Sequence, residues 1–362
     1  VSRSFGLVGL PNAGKSTVFN ALTDGGARVE AYPFCTIEPH RGIVGVPDDR
    51  LERLHSLYPD KRMVPTTVEV VDIAGLVSGA AHGEGLGNQF LAEIRACDAI
   101  LHIVRCFADE QVAHPAGTVD VKRDVEMVEM ELLLKDLDTL ERRQQRTAKV
   151  ARTGDRGARE EMESLERLIT SVKQGVPLRE LSLSPQEETR LKDLAPLTAK
   201  PILYVANVGE EGVNEHLRAL SSLAQQRSAP CIAIRGRLEA EVAETAQGPE
   251  EYDAFLQEWG IERSALEELL QAAYGLLNLV TFYTVEGPEV RAWTVVEGTQ
   301  APEAGGVIHG DFRERFVLAE VMDLEELIAV GGERALRQEG RIIRAGRDYI
   351  VQDADVIHFI CA

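Results

Sequence analysis

Long apolar runs are missing from this chain. No stretch approaches the ~18–20 apolar residues that a membrane-spanning helix needs, so no spanning helix and no membrane partner are expected. Paired cysteines are missing too. The five cysteines (Cys35, Cys97, Cys106, Cys231, Cys361) are scattered, odd in number and without C-x-x-C spacing. That excludes a disulfide framework and a thiolate zinc site, and points to reduced thiols in the cytoplasm. A secretory leader is not expected, because a strand-like segment begins within the first residues. Positive charge is in short supply: 39 Lys and Arg against 59 Asp and Glu leave a formal net charge of −20. Such a surface is not one coated throughout by nucleic acid, and no DNA partner is expected, although a local basic patch remains compatible with it. Internal repeats and low-complexity segments are absent.

What is present starts with Gly9-Leu10-Pro11-Asn12-Ala13-Gly14-Lys15-Ser16, a G-x-x-x-x-G-K-S phosphate loop. Phe5–Val8 before it is apolar and strand-like, and the residues from Ser16 onward can start a helix. The glycines let successive N–H groups point at phosphate oxygens, and the helix N-terminus adds partial positive charge. Asn12, Ala13, Gly14, Lys15, Ser16 and Thr17 are therefore the expected phosphate cradle. Lys15 is expected to reach the β- and γ-phosphates, with a catalytic part in stabilising charge, and the Ser16 hydroxyl to bind Mg²⁺.

Two further segments fit a nucleotide switch. Thr36 lies in a Pro-bounded loop about twenty residues beyond Lys15, where such proteins place a second Mg²⁺ ligand. The β-branched run Thr66–Val71 ends in Asp72-Ile73-Ala74-Gly75, a D-x-x-G pattern. This suits Asp72 as an Mg²⁺ ligand and the Gly75 amide as a γ-phosphate donor. A glycine-rich stretch follows to Asn88, suited to ordering around a γ-phosphate. Leu76 stands where Ras-like enzymes carry a water-orienting glutamine, so another group must serve hydrolysis.

Farther on, Asn207-Val208-Gly209-Glu210 stands where a GTPase has N-K-x-D. In that motif the aspartate accepts from guanine N1–H and N2–H₂, a donor pair adenine lacks. Here the lysine is Val208 and the acid is one methylene longer. Arg235-Gly236 follows the next strand. Between these motifs, residues 121–175 hold no proline and show helical apolar spacing at Val125, Val128 and Leu132, and again at Met162, Leu165, Ile169 and Val172. Residues 153–157 break the pattern, which predicts an antiparallel helical hairpin. Its tip carries Arg142, Arg143, Arg146, Lys149, Arg152, Arg156 and Arg159. Seven cations at one end of a −20 protein point to nucleic acid, ribosomal RNA above all. Short strand patterns around one helix from Asn278 onward suggest a small β-grasp module, with Arg334, Arg337, Arg341, Arg344 and Arg347 as a candidate basic face.

The phosphate loop, the Tyr32–Pro39 segment and the Asp72–Asn88 glycine run resemble the Obg-related P-loop proteins. With the hairpin and C-terminal module, the chain resembles one branch over essentially its whole length: the YchF family, or Obg-like ATPases. The resemblance implies an α/β fold: a P-loop NTPase domain (1–120 and 196–277), an inserted helical hairpin (121–195) and a TGS-like β-grasp domain (278–362). It implies ATP preferred over weaker-binding GTP, Mg²⁺ as cofactor, a ribosomal partner, and a potassium ion held near Asn12. It also implies that His114 replaces the missing glutamine as the water-activating residue, with His82 the second candidate. The Arg235-Gly236 pair departs from the Ser-Ala turn of the relatives. Two other readings stay open: a ribosome-assembly GTPase, and a nucleotide-sensing RNA-binding protein with negligible turnover.

Overall fold

The computed structural model describes residues 3–25, 40–73, 92–246, 249–261 and 264–362. The first of two six-stranded sheets contains β1 (Arg3–Val8), β2 (Arg41–Gly45), β4 (Thr67–Asp72), β5 (Ala99–Cys106), β6 (Ile202–Val208) and β7 (Cys231–Ile234). Their order is β2-β4-β1-β5-β6-β7, and every neighbouring pair is parallel except the edge pair β2–β4. β5 and β6 are buried along their whole length, as a parallel sheet covered on both faces requires. One face packs against the helices Lys15–Gly25 and Ala265–Leu276, through Val18, Leu22, Leu269 and Ala273. The other packs against Glu215–Gln226 and the start of the long helix Val121–Ala151.

That long helix serves two cores in succession. Its first part seats Val121, Val125, Val128 and Leu132 on the sheet. Its later part leaves the sheet and packs Leu133 and Leu140 against Leu165, Ile169 and Val172 of the returning helix Arg156–Lys173. Each fully buried aliphatic contributes roughly 1.5–3 kcal/mol, enough to hold a projecting hairpin in place. Asp120 and Asp155 cap the two helices by accepting from the amides of Arg123 and Ala158. At the hairpin root, Asp136 has no exposed surface and accepts from Leu197 N, Thr198 N and the Thr198 hydroxyl at 2.6–2.7 Å. The hairpin thus stands where the apolar spacing puts it.

The second sheet contains β3 (Arg62–Val64), β8 (Leu279–Thr284), β9 (Glu289–Val296), β10 (Phe316–Asp323), β11 (Ile343–Ala345) and β12 (Asp355–Cys361), in the order β11-β10-β12-β8-β9-β3. β8 and β9 form an antiparallel hairpin. Asp348-Tyr349-Ile350-Val351 reads as a strand in sequence, but there Ile350 forms only a single bridge to Gln300. Its place beside β12 is taken by β10, whose partners lie about 40 residues away in the chain, beyond the reach of a local pattern.

Helix Asp49–Ser56 and β3, from inside the 1–120 segment, also join this second module. Leu51 and Leu54 enter its core beside Tyr283 and Val290, and β3 pairs with β9. Tyr283 donates to Asp48 at 2.6 Å, and Arg53 meets Glu325 through both terminal guanidinium nitrogens. The excursion closes where Val46 N donates to the Thr66 carbonyl. No helix among the described residues is long and apolar enough to cross a membrane.

Candidate nucleotide site

The C-terminal ends of β1, β4, β5, β6 and β7 meet on one edge of the first sheet, where open α/β sheets bind ligands. The loop after β1 turns at Asn12 and Gly14, with φ of 63° and 93°. A side chain on Gly14 would place its Cβ 2.1 Å from Asn207 Nδ2, and one on Gly9 would stand 2.4 Å from the Ile103 carbonyl oxygen. Only glycine permits both approaches, which explains both fixed positions of the motif. Lys15 is buried and donates to the Gly9 and Leu10 carbonyls, each at 3.1 Å. Burial lowers its pKa, and nearby Asp72 opposes the shift. The Lys15 ammonium is thus held by the loop's own carbonyls.

β1 and β4 are neighbours, with Leu7 opposite Asp72. This register brings the Ser16 hydroxyl within 2.7 Å of Asp72 Oδ2. The other carboxylate oxygen, Asp72 Oδ1, is buried and has no partner among the described residues. A buried unpartnered oxygen is unfavourable unless something meets it. The hard oxygen pair fits a small divalent cation such as Mg²⁺. The expected ligand Thr36 lies outside the described residues, as do Gly75, Leu76 and His82.

Asn207, at the end of β6, is a two-way clamp. Its Nδ2 donates to the Ala13 carbonyl at 3.0 Å, and its Oδ1 accepts from Gly236 N at 3.3 Å. The phosphate loop and the turn after β7 are thereby tied to one side chain. Val208 is buried in the core, where its side chain offers a base no polar contact. Glu210 is exposed, and Ala13 and Thr17 sit buried and half-buried beside the clamp and Lys15. Arg235 follows β7, at the start of the turn that Asn207 clamps. The structure lays its guanidinium over Gly212, so close that a Cβ there would come within 2.9 Å of it.

His114, the expected water-activating residue, packs against the start of the helix Val121–Ala151. Its ring is 5% exposed, and Nε2 donates to Asp124 Oδ2 at 2.9 Å. Its Nδ1 accepts from Ala116 N at 3.1 Å. A neutral imidazole has one lone pair, and here the Ala116 amide occupies it, so the ring does not polarise water in this conformation. Asn12 Nδ2 donates to the neighbouring Ala113 carbonyl at 2.9 Å, linking the phosphate loop to this segment. Arg105, at the end of β5, shapes the segment further by donating to the carbonyls of Phe107, Asp109 and Val112. Sequence reasoning missed Asp124 and Arg105. Neither stands at a motif spacing; the only local signal for Asp124 is its place four residues after a helix-capping aspartate.

Residues 4–146 match the family model MMR_HSR1, described as 50S ribosome-binding GTPase. Residues 279–361 match YchF-GTPase_C, described as a protein of unknown function (DUF933). The chain is 46% identical over 359 residues to the Ribosome-binding ATPase YchF of Bacillus subtilis, covering 98% of each chain. It is 44% identical over 357 residues to the protein of the same name from Escherichia coli O157:H7, again covering 98% of each. Among solved structures it is similar to the Schizosaccharomyces pombe YchF GTPase, with a TM-score of 0.89 and 33% identity over 99% of this chain and 98% of that one.

Proposed function

The chain belongs to the YchF family, and from that premise we propose that it is a Mg²⁺-dependent nucleotide switch that hydrolyses ATP slowly and acts on the ribosome. The observation that carries the nucleotide choice is the state of the β6 loop. Asn207 is committed to the phosphate loop and the Gly236 turn, Val208 is buried, and Glu210 stands where guanine would meet an aspartate. A guanine-reading device altered at two positions favours ATP over GTP. Asn12, Ala13, Gly14, Lys15, Ser16, Thr17 and Gly75 bind the phosphates in this reading, with Asn207, Val208 and Glu210 around the base.

Ser16, Asp72 and Thr36 would hold the Mg²⁺ ion. Such an ion would supply positive charge that offsets the charge on the phosphate oxygens. Lys15 and the loop amides stabilise the charge developing on the transferred group. His114 serves the attacking water once its lone pair is free. A potassium ion beside Asn12 is part of the proposal; turnover in potassium against sodium buffer tests it. Without a glutamine after Gly75, turnover alone is slow, and a partner supplies the rest.

For the ribosomal partner, the hairpin tip supports the reading. Arg146, Lys149, Arg152 and Arg159 are exposed and make no ion pair among the described residues, so they are open to phosphates of ribosomal RNA. The relatives named above carry ribosome binding in their names, and the cytoplasm is the compartment that follows. In this proposal the chain has three parts: the nucleotide-binding domain, the inserted helical hairpin, and a TGS-like module extended by the 48–66 excursion.

Equilibrium binding of ATP and GTP analogues to nucleotide-free protein, with Mg²⁺ and potassium, tests the choice. Tenfold tighter ATP binding, about 1.4 kcal/mol, is the expected result. Clear GTP preference would move the function to a ribosome-assembly GTPase. A hydrolysis rate at the uncatalysed background, with and without ribosomes, would favour the nucleotide-sensing role.

A further inference from the structure

We propose that Asp124 is a positioning residue that keeps His114 withdrawn at the hairpin root, so that the hairpin's first turn decides when the imidazole is free for hydrolysis. The proposal rests on the reading in which His114 serves the attacking water. Its basis is the set of contacts around the ring. Asp124 lies in the first turn of Val121–Ala151 and is 5% exposed, as is the His114 ring. Its Oδ2 takes the His114 Nε2 proton, while its Oδ1 accepts from Arg123 Nε at 3.1 Å and Nη2 at 2.9 Å. The Asp120 amide, at 3.4 Å, adds a weak contact to Oδ2. The carboxylate is thus fixed to the helix, and the histidine is fixed to the carboxylate.

The position of the latch suits the role. A small cavity separates it from the phosphate loop, lined by Leu10, Pro11 and Ala13 on the loop side, by His102, and by His114 and Asp124 themselves. His102 is fully buried, and its Nδ1 has no partner among the described residues. Burial, with the charges of Arg179, Arg227 and Lys15, pushes its pKa down to about 3, so it faces the cavity as a neutral ring. The same helix that carries Asp124 ends near Ala151, beside Arg146, Lys149, Arg152 and Arg159 of the tip. A load on the tip acts through one continuous helix on the carboxylate that holds His114. Ala113, next in the chain to His114, is already bonded to Asn12 of the phosphate loop. A released ring therefore stays tethered to the loop it would serve.

The test is ATP turnover by the full-length protein, with and without purified ribosomes, for the wild type, Asp124→Asn and Asp124→Ala. Asp124→Ala is expected to raise basal kcat about tenfold, as release from a held state does, with KM for ATP within about twofold. The stimulation by ribosomes falls by the same factor. The isosteric Asp124→Asn, which weakens the bond to His114 by removing its charge, gives a smaller gain in the same direction and serves if Asp124→Ala folds poorly. Adding His114→Ala to either variant removes the gain; a gain that persists overturns the proposal. A folded Asp124 variant with basal kcat at or below the wild type also overturns it. A structural role alone would lower the melting temperature without raising kcat. The latch is also read without turnover, by hydrogen exchange at the Ala116 amide, which His114 Nδ1 accepts. Faster exchange in both Asp124 variants is expected, and unchanged protection overturns the holding role. A wild type that hydrolyses no ATP even with ribosomes, but shows the exchange result, places the failure in the proposed function instead.

Discussion

The hairpin tip and the C-terminal module each carry a group of arginines, and the two groups differ in what meets them. At the tip, Arg142, Arg143 and Arg156 pair with Asp138, Glu161 and Glu160, while Arg146, Lys149, Arg152 and Arg159 have no carboxylate partner among the described residues. In the C-terminal module, Arg337 and Arg344 converge on Glu320, which is only 6% exposed. Arg341 sits between Glu326 and Glu339, and Arg347 donates to the Phe316 carbonyl while covering its ring. Of that candidate basic face, only Arg334 lacks a partner among the described residues. A cation already held by carboxylates gains little from a phosphate, because it must give up one anion to take another. A free cation releases counterions from RNA when it binds. The arginines of the C-terminal module are therefore internal cross-links, whereas in the proposed function the open cations of the tip are the ones that meet RNA.

The largest test of this contrast removes Arg146, Lys149, Arg152 and Arg159 together, each to alanine. Ribosome affinity is expected to fall by ~10²-fold or more at low salt, and the salt dependence to flatten by about three units, read by co-sedimentation across a salt series. A larger loss from removing the C-terminal arginines would break the comparison. Next comes the anchor behind the tip. Asp136→Ala leaves three buried donors without an acceptor and is expected to cost about 3 kcal/mol in denaturant unfolding.

The paired arginines predict an acid-sensitive module. Hydrogen bonding to Arg337 holds the Glu320 carboxyl below its ordinary value of 4.5, against the opposing effect of burial. The native carboxylate then binds fewer protons than the unfolded one, so its stabilisation is present above 4.5 and is lost as pH falls below that. Wild-type melting temperature is expected to drop more steeply than that of Glu320→Gln when pH is lowered through this window. Equal slopes would show that the pair contributes nothing. The smallest effect belongs to Arg334→Ala, expected to leave both ribosome affinity and melting temperature unchanged within error.

Much of the first sheet was legible because its signals are local. The phosphate loop needs eight consecutive residues, and Asp72 ends an apolar run. The hairpin could be read because its apolar spacing is set by one helix at a time. The second module was harder. β10 gains its meaning only beside β12, and β3 pairs with a strand more than 200 residues later in the chain. The placement of His114 was not legible either, since Asp124 and Ala116 are ordinary residues until the loop closes on the helix.

The sequence by itself determined the phosphate-loop motif and the departure from N-K-x-D at Asn207–Glu210, because both reside in the kinds of side chain at fixed short spacings. It also set the excess of cations at one end of the hairpin. Only the tertiary structure decided which of those cations are free, which arginines are held by carboxylates, and where the His114 lone pair is engaged. Those outcomes depend on hydrogen bonds and ion pairs that act over a few ångströms, between groups that the chain brings together only when it folds.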